Sequence, residues 1–255
     1  MQQRSLVVQC SRVDHEAELP PPPWQRAPRR IARRRADPIT PKAIVSAALK
    51  ILDAEGLDGL SMRRVADELG TGPASLYWHV GSKDGLLDLL FDEVIGEQEI
   101  PDPEPERWQE QLKEVARTMR STILHHRDIV RISIGRIPMG PNALRYSDRV
   151  LAILRAGGVP DQLAVLGHHL LISIVNGFTL DETGEGGQPP ADQPSLEDGA
   201  RMARNYLASL PSERFPNLVA LADHFTIADP DQRFEVLLDL YVEGLARRAR
   251  AGTHA

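Results

Sequence analysis

The most constraining feature of this sequence is a series of helix starts and stops within one short stretch. Thr40 and Pro41 form a typical helix N-terminus, and apolar residues then recur at helical spacing until Gly56. Ser61 caps a second, shorter helix, which Gly70 ends. The inward positions predicted for these two helices are Ile44, Ala47, Ala48, Ile51, Leu52, Val65, Ala66 and Leu69.

A third helix follows after a very short turn. It begins near Pro73 and ends around Gly81, and Ser82 caps a fourth helix that extends to about Ile95. Three short helices with a Gly-containing turn between the second and third form a helix-turn-helix. We therefore predict an all-α fold with a helix-turn-helix DNA-binding domain over residues 39–95.

The third helix carries the sequence YWH at residues 77–79 on a helix of about eight residues. Leu76 and Val80 share its inward face, so Trp78 points away from the core. Exposed aromatic side chains on so short a helix favour a partner surface, although a core position at a helix bend is the alternative. If the partner is DNA, we expect Gly72, Pro73, Ala74 and Ser75 to approach base edges and Tyr77 and His79 to reach phosphates.

Residues 1–38 lack periodicity and include four consecutive prolines, which predicts a disordered arm. Five arginines end this arm, and Arg33, Arg34 and Arg35 immediately precede the first helix. Such an arm can lie in a DNA minor groove. A solvated tail or a mis-assigned start codon explains the same residues equally well.

The charge is distributed unevenly along the chain. Residues 24–83 contain eleven Lys and Arg against six Asp and Glu, a balance of +5 in a chain whose formal charge is −6. A basic N-terminal third on an acidic body indicates that one end meets a polyanion.

Several classes of protein find little support in the sequence. Cys10 is the single cysteine, which argues against disulfides, cysteine zinc sites and a cysteine nucleophile. The longest apolar stretch is interrupted by polar residues and glycines, which is typical of a buried helix, and the N-terminus has no apolar leader. We expect a cytoplasmic protein without a membrane span. The sequence contains no phosphate-binding loop, HExxH or G-x-S-x-G motif, so we expect neither enzymatic activity nor a cofactor.

A Pro-rich linker over residues 96–106 separates the first domain from a second helical domain over residues 107–250. Helices near 160–182 and 230–249 are apolar around much of their circumference and need cover on more than one side. Residues 183–196 have the composition of a flexible loop. The inward positions predicted for the helices at 107–126 and after Pro138 include Trp108, Leu112, Val115, Met119, Ile123, Leu124, Leu144, Val150, Leu151 and Leu154.

The run from Ala48 to Leu90, and LYWHV within it, resembles the DNA-binding region of the tetracycline-repressor (TetR) family. The resemblance is long and ungapped. It implies that Arg63 contacts DNA, that the third helix is the recognition helix, and that Lys83 holds a phosphate. The recognition helix departs from the family's tetracycline-responsive branch in opening with Gly72 and Pro73, so a different operator is expected.

The second domain resembles the ligand domain of the same family through HRD at residues 126–128, Gly135, Pro138 and Gly177. The resemblance implies a homodimer, formed by a four-helix bundle, that binds a palindromic operator. The residues that the resemblance places in a small-molecule pocket are Met119, Ile123, Ser133, Arg136, Pro138, Tyr146, Arg149, His168 and Ile172. For each of them an ordinary core or surface position is the alternative.

The residues that chelate magnesium-tetracycline in this family are missing. The positions of the family's two ligand histidines fall near Gln98 and Glu99 and on Ser133, and none of these residues supplies an imidazole. The position of the family's amide falls on Val115, which supplies no amide. We therefore expect a different, metal-free inducer. The pairs His125-His126 and His168-His169 point about 100° apart on a helix, so neither pair closes a metal site alone.

These observations together predict a ligand-responsive transcriptional repressor. A TetR-like activator or ligand-independent regulator is the nearest alternative. An all-α enzyme or metal-binding protein, with the N-terminal helices as scaffold, is the alternative from another class.

Overall fold

The computed structural model describes residues 39–183, 196–225 and 229–252, and within these ranges the regular structure is entirely helical. The predicted all-α fold is thereby confirmed. The predicted N-terminal arm, with Arg33, Arg34 and Arg35, lies outside the described residues. Most of the predicted loop at 183–196 also lies outside them.

Eleven α-helices follow one another in the described ranges. The first four are α1 (Pro41–Gly59), α2 (Met62–Glu68), α3 (Pro73–Val80) and α4 (Lys83–Gly96). The others are α5 (Trp108–His125), α6 (Ile129–Ser133), α7 (Pro141–Ala156), α8 (Asp161–Thr183), α9 (Leu196–Ala208), α10 (Pro216–Ala220) and α11 (Pro230–Gly252). Short 3₁₀ turns lie at Pro105–Arg107 and Ala222–His224.

Hydroxyl groups cap three of the first four helices, as the sequence predicted. Thr40 Oγ1 accepts a hydrogen bond of 3.1 Å from the amide of Ala43, and Ser61 Oγ accepts one of 3.1 Å from Arg64. Ser82 Oγ accepts one of 2.9 Å from the amide of Gly85. Each cap satisfies an amide that has no partner within its helix.

The break predicted at Gly56 is present, although one further helical turn follows it before α1 ends. Gly56 has φ 76° and ψ 179°, a conformation that is essentially restricted to glycine. The carboxylate of Asp128 accepts a hydrogen bond of 2.9 Å from the next amide, that of Leu57. The end of α1 is therefore held by a residue from the second half of the chain.

The first three helices and α4 share an apolar core. Leu76 and Val80 of α3 are buried against it, which confirms the inward face predicted for this helix. Fully buried side chains in this core include Ile44, Ile51, Leu52, Leu60, Leu86 and Leu90.

Helix α4 packs on both halves of the molecule, against α1 and α3 on one side and α5, α6 and α7 on the other. The buried carboxylate of Asp92 on α4 accepts hydrogen bonds from the N-terminal amides of α7, 2.9 Å from Ala143 and 3.3 Å from Asn142. Gly140 permits this approach, since a Cβ there would lie 2.2 Å from the Asp92 carboxyl group. The first residues of α7 are thus capped by α4.

In the second half of the chain α5, α7, α8 and α11 pack together. The predicted inward positions on α5 and α7 are largely confirmed, but Leu124 and Leu144 are exposed, because at about 100° per residue each points well outside the stripe of buried residues on its helix. Helices α9 and α10 were not predicted. They pack on each other and on the turn at Ala222–His224.

Helix α8 is the one helix in the described ranges that has the length and hydropathy to cross a membrane. It carries core residues on one side, including Ala164, Leu171 and Val175, and it packs against α5, α6, α7 and α11. Other positions on the helix, including Val165 and Leu166, are exposed in the single chain.

The Gly56 conformation generates a first prediction. Gly56→Ala should lower the free energy of unfolding by about 1–3 kcal/mol, because alanine strains this backbone and its Cβ would lie 2.8 Å from Asp128 Oδ2. Urea unfolding followed by circular dichroism measures this difference.

Gly70→Ala is the matched control, because φ at Gly70 is also positive, at 62°, while a Cβ there meets nothing within 4 Å. Gly70→Ala should lower the free energy of unfolding by about 1–2 kcal/mol, from backbone strain alone. An equal or smaller loss at Gly56 would show that the contact with Asp128 contributes nothing.

Candidate nucleic-acid interface and ligand site

The turn between α2 and α3 orients α3 as the outer helix of the motif. The amide of Thr71 donates to the carbonyl of Ala66, 2.9 Å away, and Gly70 has the positive φ of a helix-terminating glycine. Gly72 then precedes Pro73 at the first position of α3. This arrangement leaves one face of α3 on the core and turns the other outward.

The outward face of α3 combines small and aromatic side chains. Tyr77 is 47% exposed and Trp78 is 45% exposed, while His79 is partly buried and its ring meets the Trp78 ring edge-on. The small residues of the N-terminal half, Gly72, Pro73, Ala74 and Ser75, are all exposed. A backbone without bulky side chains can approach the edges of base pairs closely.

Two adjacent arginines on α2 have different surroundings. Arg64 is held by Glu55 and by Glu68, with N to O distances of 2.8 and 3.0 Å. Arg63 is exposed and forms no ion pair with the part of the chain that the structure describes. Lys83, at the start of α4, is likewise exposed. Arg63 and Lys83 are therefore available to phosphates, whereas Arg64 is engaged within the protein.

Candidate ligand residues of three helices meet in the second half of the chain. Met119 and Ile123 are buried on α5, and the hydroxyl of Tyr146 on α7 lies 3.5 Å from Met119 Sδ. His168 and Ile172 are partly buried on α8, which packs against both helices. Burial raises the pKa of Tyr146, and the nearby Tyr241 adds to the effect, so this phenol stays neutral.

Buried polar atoms without partners occur on α8. His168 Nε2 and Asn176 Oδ1 lack a hydrogen bond to any described residue, and so does Gln98 Oε1 after α4. Burial lowers the pKa of His168, and His169 lowers it further, so the imidazole is neutral. Asn176 was not among the predicted ligand residues, although an amide in an otherwise apolar helix could have indicated it. Unsatisfied buried polar atoms are costly and often mark a ligand or water site.

The remaining candidates contact other protein groups. Ser133 is buried, and its hydroxyl donates to the carbonyl of Val130, 2.7 Å away. Arg149 pairs with Asp102 of the segment before α5, at 2.7 Å. Pro138, in the segment between α6 and α7, is partly buried.

Arg136 lies against α4, where it pairs with Asp84 at 2.9 Å and with Asp88 at 2.6 Å. The structure thus places Arg136 at the contact between the two halves of the molecule. A cavity of about 200 Å³ opens where the start of α5 meets the C-terminal ends of α7 and α11. It contains none of the candidate ligand residues and is lined by Trp108, Gln109, Gly157, Ala246, Ala249 and Arg250.

The two histidines at the end of α5 have different surroundings. His125 is exposed, whereas His126 is buried between Asp53 of α1 and Glu97 at the end of α4. Nearby, Arg127 donates to the carbonyl of Ala54. In residues 39–183, 196–225 and 229–252 no three His, Cys, Asp or Glu side chains are grouped so that they could hold a metal ion.

Comparison with known families matches both halves of the chain. Residues 44–90 match the family described as bacterial regulatory proteins, tetR family. Residues 100–249 match the family described as tetracyclin repressor-like, C-terminal domain.

Curated relatives extend this similarity. The chain is 40% identical over 134 residues to the transcriptional repressor DrrR1 of Streptomyces coeruleorubidus, covering 52% of this chain and 50% of that protein. It spans about half the length of the regulators that it matches at this identity. It is also 31% identical over 213 residues to the class A tetracycline repressor from transposon 1721 of Escherichia coli, covering 82% of this chain and 92% of the repressor.

Solved structures show the same relationship. Apo ActR from Streptomyces coelicolor superposes with a TM-score of 0.77 at 47% identity, covering 87% of this chain and all of that one. ActR has also been solved in complex with (S)-DNPA and with actinorhodin, each with a TM-score of 0.75 and 47% identity, covering 83% of this chain and 99% and 97% of those chains. These relatives are regulators, which favours that class over the all-α enzyme that the sequence left open. The match to both family models and to a full-length repressor establishes that this chain belongs to the TetR family of bacterial transcriptional regulators.

Proposed function

We propose that this protein is a homodimeric, ligand-responsive transcriptional repressor that leaves a palindromic operator when a small molecule binds its second domain. The observation that carries the proposal is the outward face of α3, which presents small residues and aromatic rings beside the uncommitted Arg63 and Lys83. The inward face of this helix is buried in the core, whereas its outward side chains are exposed and can meet a major groove.

The proposed DNA contacts divide by chemistry. Gly72, Pro73, Ala74 and Ser75 approach base edges. The DNA phosphates are contacted by Arg63, Tyr77, His79 and Lys83. The preceding arm adds attraction to the minor groove or to phosphates through Arg33, Arg34 and Arg35.

Exposed apolar residues on α8 and α11 support a dimer. Val165 and Leu166 on α8 and Val236 and Leu240 on α11 are each more than half exposed in the single chain. Large apolar patches on a soluble protein commonly mark an interface. In the proposed dimer, α8 and α11 of two copies form a four-helix bundle that covers these side chains. The domain of residues 107–250 then supplies both the dimer interface and the ligand site.

The proposed mechanism is a shift between two populations of the dimer. A ligand among α5, α7 and α8 favours one arrangement of these helices, and α4 follows because Asp92 ties it to α7 and Arg136 ties it to the segment that precedes α7. Recognition helices of a dimer must be one helical repeat of DNA apart, about 34–36 Å, to enter successive major grooves. A shift of α4 in each subunit changes this separation, and the dimer then releases the operator. The proposed site of this regulation is the cytoplasm.

The proposed ligand is uncharged or weakly charged and does not bind as a magnesium chelate. The polar groups offered to it include the neutral His168 and Asn176, together with the phenol of Tyr146. Met119, Ile123, Ser133, Pro138 and Ile172 supply walls, and Arg149 can contribute if its ion pair with Asp102 is exchanged or shared. Since ActR binds actinorhodin and (S)-DNPA, these compounds are the first to test.

Footprinting on the DNA that flanks the protein's own gene, with and without actinorhodin, tests the proposal. Protection of a palindrome that actinorhodin removes is expected. Protection that no added compound removes would favour a ligand-independent regulator, and an absence of sequence-selective protection would contradict the proposal.

Substitution of the outward side chains gives a second prediction. Tyr77→Ala and Lys83→Ala should weaken operator binding roughly tenfold without unfolding the protein, because each removes a phosphate contact from an exposed position. Lys83→Ala should also reduce the slope of log affinity against log salt by about one. Fluorescence anisotropy titrations at several salt concentrations measure both effects.

Arg64→Ala is the control for this experiment, because Arg64 is already bound to Glu55 and Glu68. It should leave the salt slope nearly unchanged. Isotherms of Tyr77→Ala and Lys83→Ala that overlay the parent would move the DNA-binding face elsewhere.

Deletion of residues 1–36 provides a third prediction. Operator affinity and its salt dependence should both fall, because arginines near the duplex release counterions, while the preferred sequence stays the same. Titrations of specific and scrambled DNA at two salt concentrations measure these quantities. Identical low-salt affinities of the truncated and full chains would show that the arm is only a solvated tail.

The ligand site yields a fourth prediction. His168→Ala should bind operator normally but require about five- to tenfold more actinorhodin for release, the equivalent of one hydrogen bond. The adjacent and exposed His169 provides the control, His169→Ala, which should respond like the parent. Equal responses of all three proteins in the release titration would remove His168 from the site.

A further inference from the structure

His126 stands at a point where three helix ends meet. It follows α5 directly, Asp53 lies near the end of α1, and Glu97 follows α4. The ring is only 6% exposed, and each of its nitrogens faces a carboxylate. Nδ1 lies 3.2 Å from both carboxylate oxygens of Asp53, and Nε2 lies 3.0 Å from Glu97 Oε2.

This geometry matches only one protonation state of the imidazole. A neutral ring has one N–H donor and one nitrogen lone pair, so one carboxylate would face a lone pair at close range. An imidazolium donates from both nitrogens and satisfies both carboxylates with charge-assisted hydrogen bonds. The three helix ends are therefore fully bonded to one another only when the ring carries two protons.

We propose that His126, as an imidazolium, is a positioning residue that fixes the DNA-binding helices relative to the ligand domain and makes operator binding dependent on pH. Part of this inference rests on the proposed function, namely the consequence for operator binding. The junction itself rests on the contacts alone. A fixed domain orientation favours binding, because the dimer then loses less conformational freedom when both recognition helices enter the DNA.

The other charged groups near the ring are engaged elsewhere. Arg127 and Asp128 follow in the chain, where Arg127 bonds the carbonyl of Ala54 and Asp128 the amide of Leu57. Arg131 of α6 faces Asp128 and Asp58. The His125 ring meets the His126 ring edge-on, with 5.2 Å between centroids. Asp53 on α1 and Glu97 after α4 are thus the groups that govern its charge.

The direction of the pH effect follows from these contacts. Burial lowers the pKa of His126, but hydrogen bonds to Glu97 and Asp53 outweigh it, and the pKa is raised overall. A group with a raised pKa in the folded state stabilises that state fully below its unfolded pKa, about 6.5. The stabilisation is lost as pH rises through the higher, folded pKa. The junction therefore loosens as pH rises through the folded pKa of His126, which lies above the ordinary imidazole value of about 6.5.

NMR titration of the imidazole resonances tests the junction without DNA or ligand. His126→Gln and His125→Gln assign the two resonances. We expect His126 to titrate above the ordinary imidazole pKa of about 6.5, and Asp53→Asn or Glu97→Gln to lower its pKa while keeping the ring in place. A His126 pKa at or below about 6.5 would overturn the inference.

Operator titrations at about pH 6 and about pH 8.5 test the consequence. The parent and His125→Gln should lose about three- to tenfold more affinity over this range than His126→Gln does, since one pKa unit corresponds to a tenfold change. Asp53→Asn and Glu97→Gln should also flatten the profile, which keeps the test decisive if His126→Gln fails to fold. Parallel profiles for all variants would overturn the inference, whereas an absence of specific DNA binding would contradict only the proposed function.

Discussion

Helix α4 is the element on which the rest of this structure depends, because its opposite faces are buried in different halves of the molecule. Leu86 and Leu90 are fully buried in the core that this helix shares with α1 and α3. The carboxylate of Asp92 is buried at the other face, where the first amides of α7 satisfy it. A buried carboxylate that loses its donors is strongly destabilising, so α4 and α7 are constrained to move together.

Polar contacts complete this coupling along α4. Arg136 pairs with Asp84 and Asp88 in its N-terminal half, and Glu97 at its C-terminal end contacts His126. Apolar packing alone allows helices to slide, because it is not directional. Hydrogen bonds and ion pairs require particular distances and angles, so they select discrete positions for α4 relative to α5 and α7. The proposed response to a small molecule depends on such discrete positions.

The local elements of the DNA-binding half could be predicted from the sequence. Thr40, Ser61 and Ser82 cap helices through bonds within three residues of themselves, and such short-range contacts depend little on the rest of the fold. The inward face of α3 followed from helical periodicity for the same reason. Helices α9 and α10 were not predicted, because their short apolar pattern lies close to a stretch with the composition of a loop.

The sequence by itself determined the helical class, the helix-turn-helix and its outward side chains, because periodicity, caps and glycines act over a few residues. It also supplied the residues that resemble a TetR ligand domain. Only the tertiary structure decided which of those residues come together among α5, α7 and α8 and which join the two halves. Arg136 and His126 meet partners 48 and 73 residues distant in the chain, in Asp88 and Asp53. No local pattern encodes such a pairing, because it arises only when packing of the apolar helix faces brings distant charges together.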